Sequence, residues 1–281
     1  MALEKAIISN LDKGEDIEVM FNPKEYIMEK KTPWSEVNVF GMDSPPVQFT
    51  MGERKRLNME LFFDTSEDKT DVRDFTSQEK SPFAHKGKFL GMTETGYKTK
   101  KGIPMGLDYL ESLGITHVQI LPMFDYAQTN DDDSYNWGYN PYQYNVPEGR
   151  YVNGHDLDAE KAVDQMRDMI AAFHDAGIAV NMDVVYNHTA GIGEGSLFDM
   201  TVPKYYYRLN GDGNYSNGSG CGNETASNAA MFRKFMIDSL KHWMTNYHIN
   251  GFRFDLMGLH EIETMKEIYD ALKVIDPNVM V

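Results

Sequence analysis

The segment that most limits how this chain can fold is Ile178-Ala179-Val180-Asn181-Met182-Asp183-Val184-Val185, an almost unbroken apolar run of strand length. Such a run suits a parallel strand covered on both faces, and parallel neighbours need crossover helices between them. The flanks supply those helices. Val163, Met166, Ile170 and Phe173 form an apolar stripe closed by Gly177 before the run, and Phe232, Phe235, Met236, Leu240 and Trp243 form another after it. The alternation continues outward. Leu107, Leu110 and Leu113 end at Gly114 and lead into a strand over 116–121, stopped by Pro122. Downstream, a strand over 251–256 precedes a stripe of Ile262, Met265, Ile268, Tyr269 and Leu272, and 278–281 opens one more strand. Repeated βα units with long loops on one side predict a (β/α) barrel, whose sites gather at the C-terminal ends of its strands.

Up to about Asp74 the pattern is different. Ile17–Phe21 runs into the turn signal Asn22-Pro23, Val47–Met51 alternates, and Leu57, Met59, Leu61 and Phe63 share one strand face. These short strands predict a small antiparallel sheet or barrel without a catalytic grouping. The expected organisation is a β-rich module over 1–75 followed by a barrel domain over 76–281.

Charge and cysteine content narrow the partners. A net charge of -16 argues against nucleic acid and anionic membranes and leaves neutral sugars open. One cysteine, Cys221, excludes an internal disulfide. The N-terminus has no basic region leading into an apolar one, so no signal peptide is expected, and no apolar run is long enough to span a membrane. A cytoplasmic location follows as the expectation.

Candidate chemistry centres on Gly251-Phe252-Arg253-Phe254-Asp255-Leu256-Met257-Gly258. Strand alternation puts Arg253 and Asp255 on one face and Phe252, Phe254 and Leu256 on the other. Burying such a pair costs several kcal/mol per ion before pairing returns part of it. Read alone, the octamer fits a catalytic carboxylate with its charge partner and a structural ion pair equally well. Asp183 ends a neighbouring strand, with Asn187 and His188 just beyond it, so four polar groups converge at two strand ends. Carboxylates dominate, which points to acid/base and nucleophilic work on an acetal. Tyr135-Asn136-Trp137-Gly138-Tyr139-Asn140-Pro141 supplies three rings in five residues with polar partners, as a sugar subsite requires. The acidic run 130–133 lacks the ligand spacing of an EF-hand loop, and the glycines of 191–195 surround a glutamate that would repel phosphate.

The segments Asp183–His188 and Gly251–Gly258 resemble two signature regions of the α-amylase superfamily of glycoside hydrolases. Tyr135–Pro141 resembles the motif that marks type I pullulanases, which cleave α-1,6 branches of pullulan and starch. The resemblance implies a retaining hydrolase of α-glucans (pullulan, starch, glycogen branch points) that requires no cofactor. It implies Asp255 as nucleophile, Arg253 as its partner, and Asp183 and His188 as binders of the sugar at the cleavage point. Tyr139 would lie under that sugar, with Trp137 in the same subsite, and Asn187 falls where many relatives hold Ca²⁺. The family's general acid, a glutamate on the next strand, is expected beyond Val281, and the first barrel strand is reduced to Val72–Thr76. Glu261 and Glu263 lie past the strand end and are not expected to replace the acid.

Residues 1 to about 76, especially Ile17–Tyr26 and Leu57–Thr65, are similar to the N-terminal domain of tube or baseplate proteins of contractile injection systems. That resemblance implies an assembly module and a tail-tube partner through residues 1–75. The string Asp71–Thr76 suits both families and is the expected junction of a chimera, formed by recombination or by erroneous read assembly. The fold class expected overall is α/β: a partial (β/α)8 TIM barrel, truncated at both ends, after a small all-β module. Its expected biochemistry is pullulanase-like hydrolysis with very low or no activity in this chain. The alternative is a structural component of a phage-tail-like machine.

Overall fold

The computed structural model of the protein describes residues 70–128, 134–154 and 159–281 in full, together with the backbone of six strands nearer the N-terminus. The chain divides into two compact units, Met1–Asp68 and Lys69–Val281. The first contains β1 (Ile7–Asn10), β2 (Glu15–Glu18), β3 (Tyr26–Glu29), β4 (Trp34–Glu36), β5 (Val47–Phe49) and β6 (Arg56–Met59). They pair antiparallel as β1–β2, β3–β6 and β4–β5. The expected Asn22-Pro23 turn and the residues 60–63 lie outside the described residues, as does the acidic run 130–133.

The second unit alternates helix and strand. Its strands are β7 (His117–Ile120), β8 (Phe124–Tyr126), β9 (Pro141–Pro147), β10 (Ala179–Val184) and β11 (Gly251–Phe254). Its helices are α1 (Leu107–Ser112), α2 (Ala159–Asp175), α3 (Leu197–Thr201), α4 (Ala230–Tyr247) and α5 (Ile262–Lys273). A parallel sheet of order β11-β10-β7 forms the centre. Single parallel bridges extend it, Thr70 to Ile120 on one side and Met280 to Gly251 on the other. Strand order therefore follows chain order across the sheet, as in a (β/α) barrel.

Alternation along these strands decides what each face carries. Val118, Ile120, Val180, Met182, Val184, Phe252 and Phe254 are buried in the same core as Met166, Ile170 and Phe173 of α2, Met236 and Trp243 of α4, and Ile268 and Leu272 of α5. Full burial of each such side chain stabilises by about 1.5–3 kcal/mol. The opposite face carries Gln119, Ala179, Asn181, Asp183, Gly251 and Arg253. The run expected to be covered by helices on both faces is covered on one. Its polar members line the other face, the inside of a barrel.

Two local readings are corrected. Val72–Phe75 does not continue a strand: Asp71 Oδ1 accepts from the backbone N–H of Arg73 (2.7 Å) and of Asp74 (3.0 Å), so the chain turns there. Strand pairing is one step earlier, where Leu121 N–H donates to the Thr70 carbonyl at 3.1 Å. The segment after Pro122, which shows no sequence period, contains the antiparallel pair β8–β9 with register shifts at Asp125. An irregular register erases the alternation by which a strand is recognised.

Candidate active site

Parallel register sets Asp183 of β10 directly beside Arg253 of β11 on the polar face. Arg253 Nη1 donates to Asp183 Oδ1 at 2.9 Å and Oδ2 at 3.1 Å, and to Asp255 Oδ1 at 3.0 Å. One guanidinium nitrogen thus ties together the two carboxylates that end neighbouring strands. Burial works against the Arg253 charge, but the hydrogen bonds and charge of Asp183 outweigh it and raise its pKa further. The Asp183 side chain is 0% exposed, that of Asp255 17%. Asp255 is the carboxylate a ligand can reach.

The strand ends just where Asp255 needs freedom. Asp255 N–H still donates to the Val184 carbonyl at 2.9 Å, and then Leu256 enters the left-handed region at φ 45°. This turn breaks the alternation expected for Leu256, whose side chain is exposed and not packed with Phe252 and Phe254.

Tyr139, Asn187 and His188 close around the pair. Tyr139 donates its hydroxyl to Asp183 Oδ2 at 2.7 Å. Burial, then the charge and hydrogen bond of Asp183, drive the Tyr139 pKa far above its ordinary value, so the phenol keeps its proton. Asn187 Nδ2 donates to the Asp255 carbonyl (2.8 Å) and to Asp255 Oδ2 (3.2 Å). Its Oδ1 lies 2.5 Å from His188 Nδ1, and His188 Nε2 lies 2.7 Å from the Tyr139 carbonyl. Burial lowers the His188 pKa, offset in part by the Tyr139 carbonyl and the Asp255 charge. Both ends of the Asn187 amide are engaged, which fits an orienting role between Asp255 and His188 and leaves no oxygen turned out for Ca²⁺. Among the described residues no group of three His, Cys, Asp or Glu side chains could hold a metal ion.

Of the residues singled out from sequence, Asp183, Asn187, His188, Arg253, Asp255 and Tyr139 therefore form one cluster. Trp137 stands out from it, 62% exposed, and meets the ring of Tyr135 edge-on. Gly138 permits the step between the two: its φ is +82°, and an added Cβ would come within 3.1 Å of Pro122.

Three supports carry no sequence signal. Tyr144 donates its hydroxyl to the His188 carbonyl at 2.9 Å while its ring stacks on Tyr186. Asn223 binds both backbone groups of Thr189, accepting from its N–H (2.9 Å) and donating to its carbonyl (2.8 Å). Thr225 N–H donates to the Asn187 carbonyl (3.0 Å) and its hydroxyl to that of Tyr186 (2.5 Å). Asn223 and Thr225 sit in a polar loop without periodicity, where no rule of spacing marks them.

Comparison with known proteins adds to this geometry. The alpha-amylase catalytic-domain family model matches residues 61–202, and the contractile injection system tube protein model matches residues 2–90. The chain is 40% identical over 215 residues to the pullulanase of Bacillus subtilis (strain 168), covering 75% of this chain and 30% of that protein. It superposes on the crystal structure of the B. subtilis type I pullulanase complexed with maltose with a TM-score of 0.73 and 39% identity, covering 76% of this chain and 30% of that one. For the Anoxybacillus sp. LM18-11 pullulanase complexed with maltotetraose the values are 0.73 and 42%, covering 76% and 31%. The chain spans about a third of the length of these relatives.

Proposed function

Because the chain belongs to the alpha-amylase catalytic-domain family, we propose that its second unit carries the nucleophile side of a retaining glycosidase acting on α-1,6-glucosidic bonds of α-glucans. The observation that carries this reading is the Asp183–Arg253–Asp255 bridge, with only Asp255 accessible. Asp255 attacks the anomeric carbon, the glycosidic C–O bond breaks, and water later hydrolyses the resulting glycosyl ester. Arg253 and Asn187 fix the attacking oxygens, and Tyr139 and His188 bound the sugar's place.

Breaking an unactivated glycosidic bond also needs a proton on the departing oxygen, from a carboxyl about 5–5.5 Å from the nucleophile. Asp183 is a poor donor, since Arg253 and Tyr139 both donate to it. Glu261 accepts from Arg208 at 3.0 Å, on the helical segment beyond the strand. Turnover of pullulan by these 281 residues is therefore expected to be very low.

A leaving group that needs no proton separates nucleophile from acid. With 5-fluoro-α-glucosyl fluoride, the C1–F bond breaks, fluoride leaves with the electron pair, and Asp255 forms the new C1–O bond. Mass spectrometry should find one glycosyl adduct on the Asp255 peptide, absent in Asp255→Asn. An unlabelled wild type, or label elsewhere, refutes the reading.

A second reading rests on the tube-protein family match over residues 2–90. In it the N-terminal strands serve as an assembly module for a tail-tube partner. Co-sedimentation with tube particles tests it, and a chain that stays in the supernatant rejects it.

A further inference from the structure

The net charge of -16 hides a local reversal. A cavity of about 190 Å³ in the second unit is lined by Arg73, Lys86, Lys88 and Arg150, with Ser77 and Asn136 among its other walls, and no carboxylate belongs to its lining. Two segments far apart in sequence build it. Arg73 packs its stem over Gly87, whose φ of +69° and lack of a side chain leave room for it. Lys88 Nζ donates to the Arg150 carbonyl at 2.6 Å, joining the two segments. Arg150 is braced from behind: Nη1 donates to Tyr126 Oη (3.4 Å) and Nη2 to the Ser134 carbonyl (3.1 Å). Lys86 Nζ donates to backbone carbonyls of Gln78 and Glu79. These partners are neutral, so the positive charge stays uncompensated.

Arg73 gives the sharpest sign. Its Nη1 is buried and has no hydrogen-bond partner. Leaving a charged donor buried and unmade costs more than leaving a neutral one, and native structures rarely keep one without a reason. The carboxylates nearby stand behind the wall and compete weakly. Asp71 accepts from Tyr151 Oη at 3.3 Å and from two backbone amides, and burial raises its pKa. Burial likewise pushes Glu148 up to about 7.

We propose that this cavity binds a phosphate-class oxyanion, with Arg73 Nη1 and the Arg150 guanidinium as its main donors and Lys86, Lys88, Ser77 and Asn136 around it. Guanidinium groups match the oxygens of phosphate better than ammonium groups do. The size admits one phosphate group, free or as a monoester. Asn136 belongs to the loop that carries Tyr139, so a phosphate ester on a glucan is one source and inorganic phosphate the other.

Isothermal titration of the full chain at pH 7 in low-chloride buffer tests this, with inorganic phosphate, 6-phosphomaltotriose and plain maltotriose as ligands. Saturable phosphate binding is expected, weakened about tenfold or more in Arg73→Gln and in Arg150→Gln. The exposed Lys86→Gln, which puts folding at no risk, should weaken it about threefold. Asp255→Asn should leave it unchanged, so the proposal stands or falls apart from the glycosidase reading. Tighter binding of 6-phosphomaltotriose than of phosphate assigns the ester; equal affinity assigns the free ion. Absence of saturation, or wild-type affinity in all three cation variants, overturns the proposal.

Discussion

At the scale of single residues, the site was readable because its chemistry is written in charged and aromatic side chains at strand ends. Asp183, Arg253 and Asp255 stand out in otherwise apolar strands, and the parallel register makes them neighbours. What could not be read is the burial of each group. His260 illustrates this, since in sequence it is one histidine after a glycine-leucine pair. In the fold it is 7% exposed, neither ring nitrogen has a partner, and burial, helped by the charge of Arg208, pushes its pKa down to about 4. The folded state therefore holds the neutral ring while the unfolded chain protonates at its ordinary value of 6.5. Its contribution to stability is complete above pH 6.5 and is lost as pH falls toward 4, a loss of about 3 kcal/mol. Urea unfolding of the wild type and of His260→Leu at pH 7 and pH 4 measures it. The variant should lose about 3 kcal/mol less than the wild type across that interval. Equal losses refute the assignment.

At the scale of elements, helices α2, α4 and α5 and strands β7, β10 and β11 followed from periodicity, because helix packing on a parallel sheet imposes a regular apolar pattern. The pair β8–β9 and the clamp over Asn187–Thr189 did not, since one has a broken register and the other is built from isolated polar contacts. Yet that clamp holds His188 in place. Asn223 is 2% exposed and satisfies both backbone groups of Thr189, so Asn223→Ala orphans a buried donor and a buried acceptor. The expected cost is about 2–4 kcal/mol. Hydrogen exchange localises it: the Thr189 amide should exchange about tenfold faster or more, while amides in the middle of α2 slow or hold within the global change. Unaltered protection at Thr189 means the clamp does not govern this segment.

At the scale of the whole molecule, the sheet has a greasy face and a polar face, and the sequence showed only their sum in the run 178–185. The same holds for charge. A sum of 27 basic against 43 acidic residues gives -16, a self-repelling chain, while the cavity around Arg73 and Arg150 is positive. Added salt should therefore raise the melting temperature by screening repulsion, whatever the anion. Phosphate should do more. A ligand at ten times its Kd stabilises the folded state by about 1.4 kcal/mol, or about 3–6 °C for a domain of this size. Phosphate also strengthens apolar burial by exclusion from protein surfaces, an effect that needs no site. Arg73→Gln separates the two. Melting curves at equal ionic strength in sodium chloride and sodium phosphate should differ by the exclusion effect alone in the variant, and by that plus about 3–6 °C in the wild type. If the wild type and variant gain equally from phosphate, the positive cavity holds no specific anion and its charge serves only to offset the acidic surface around it.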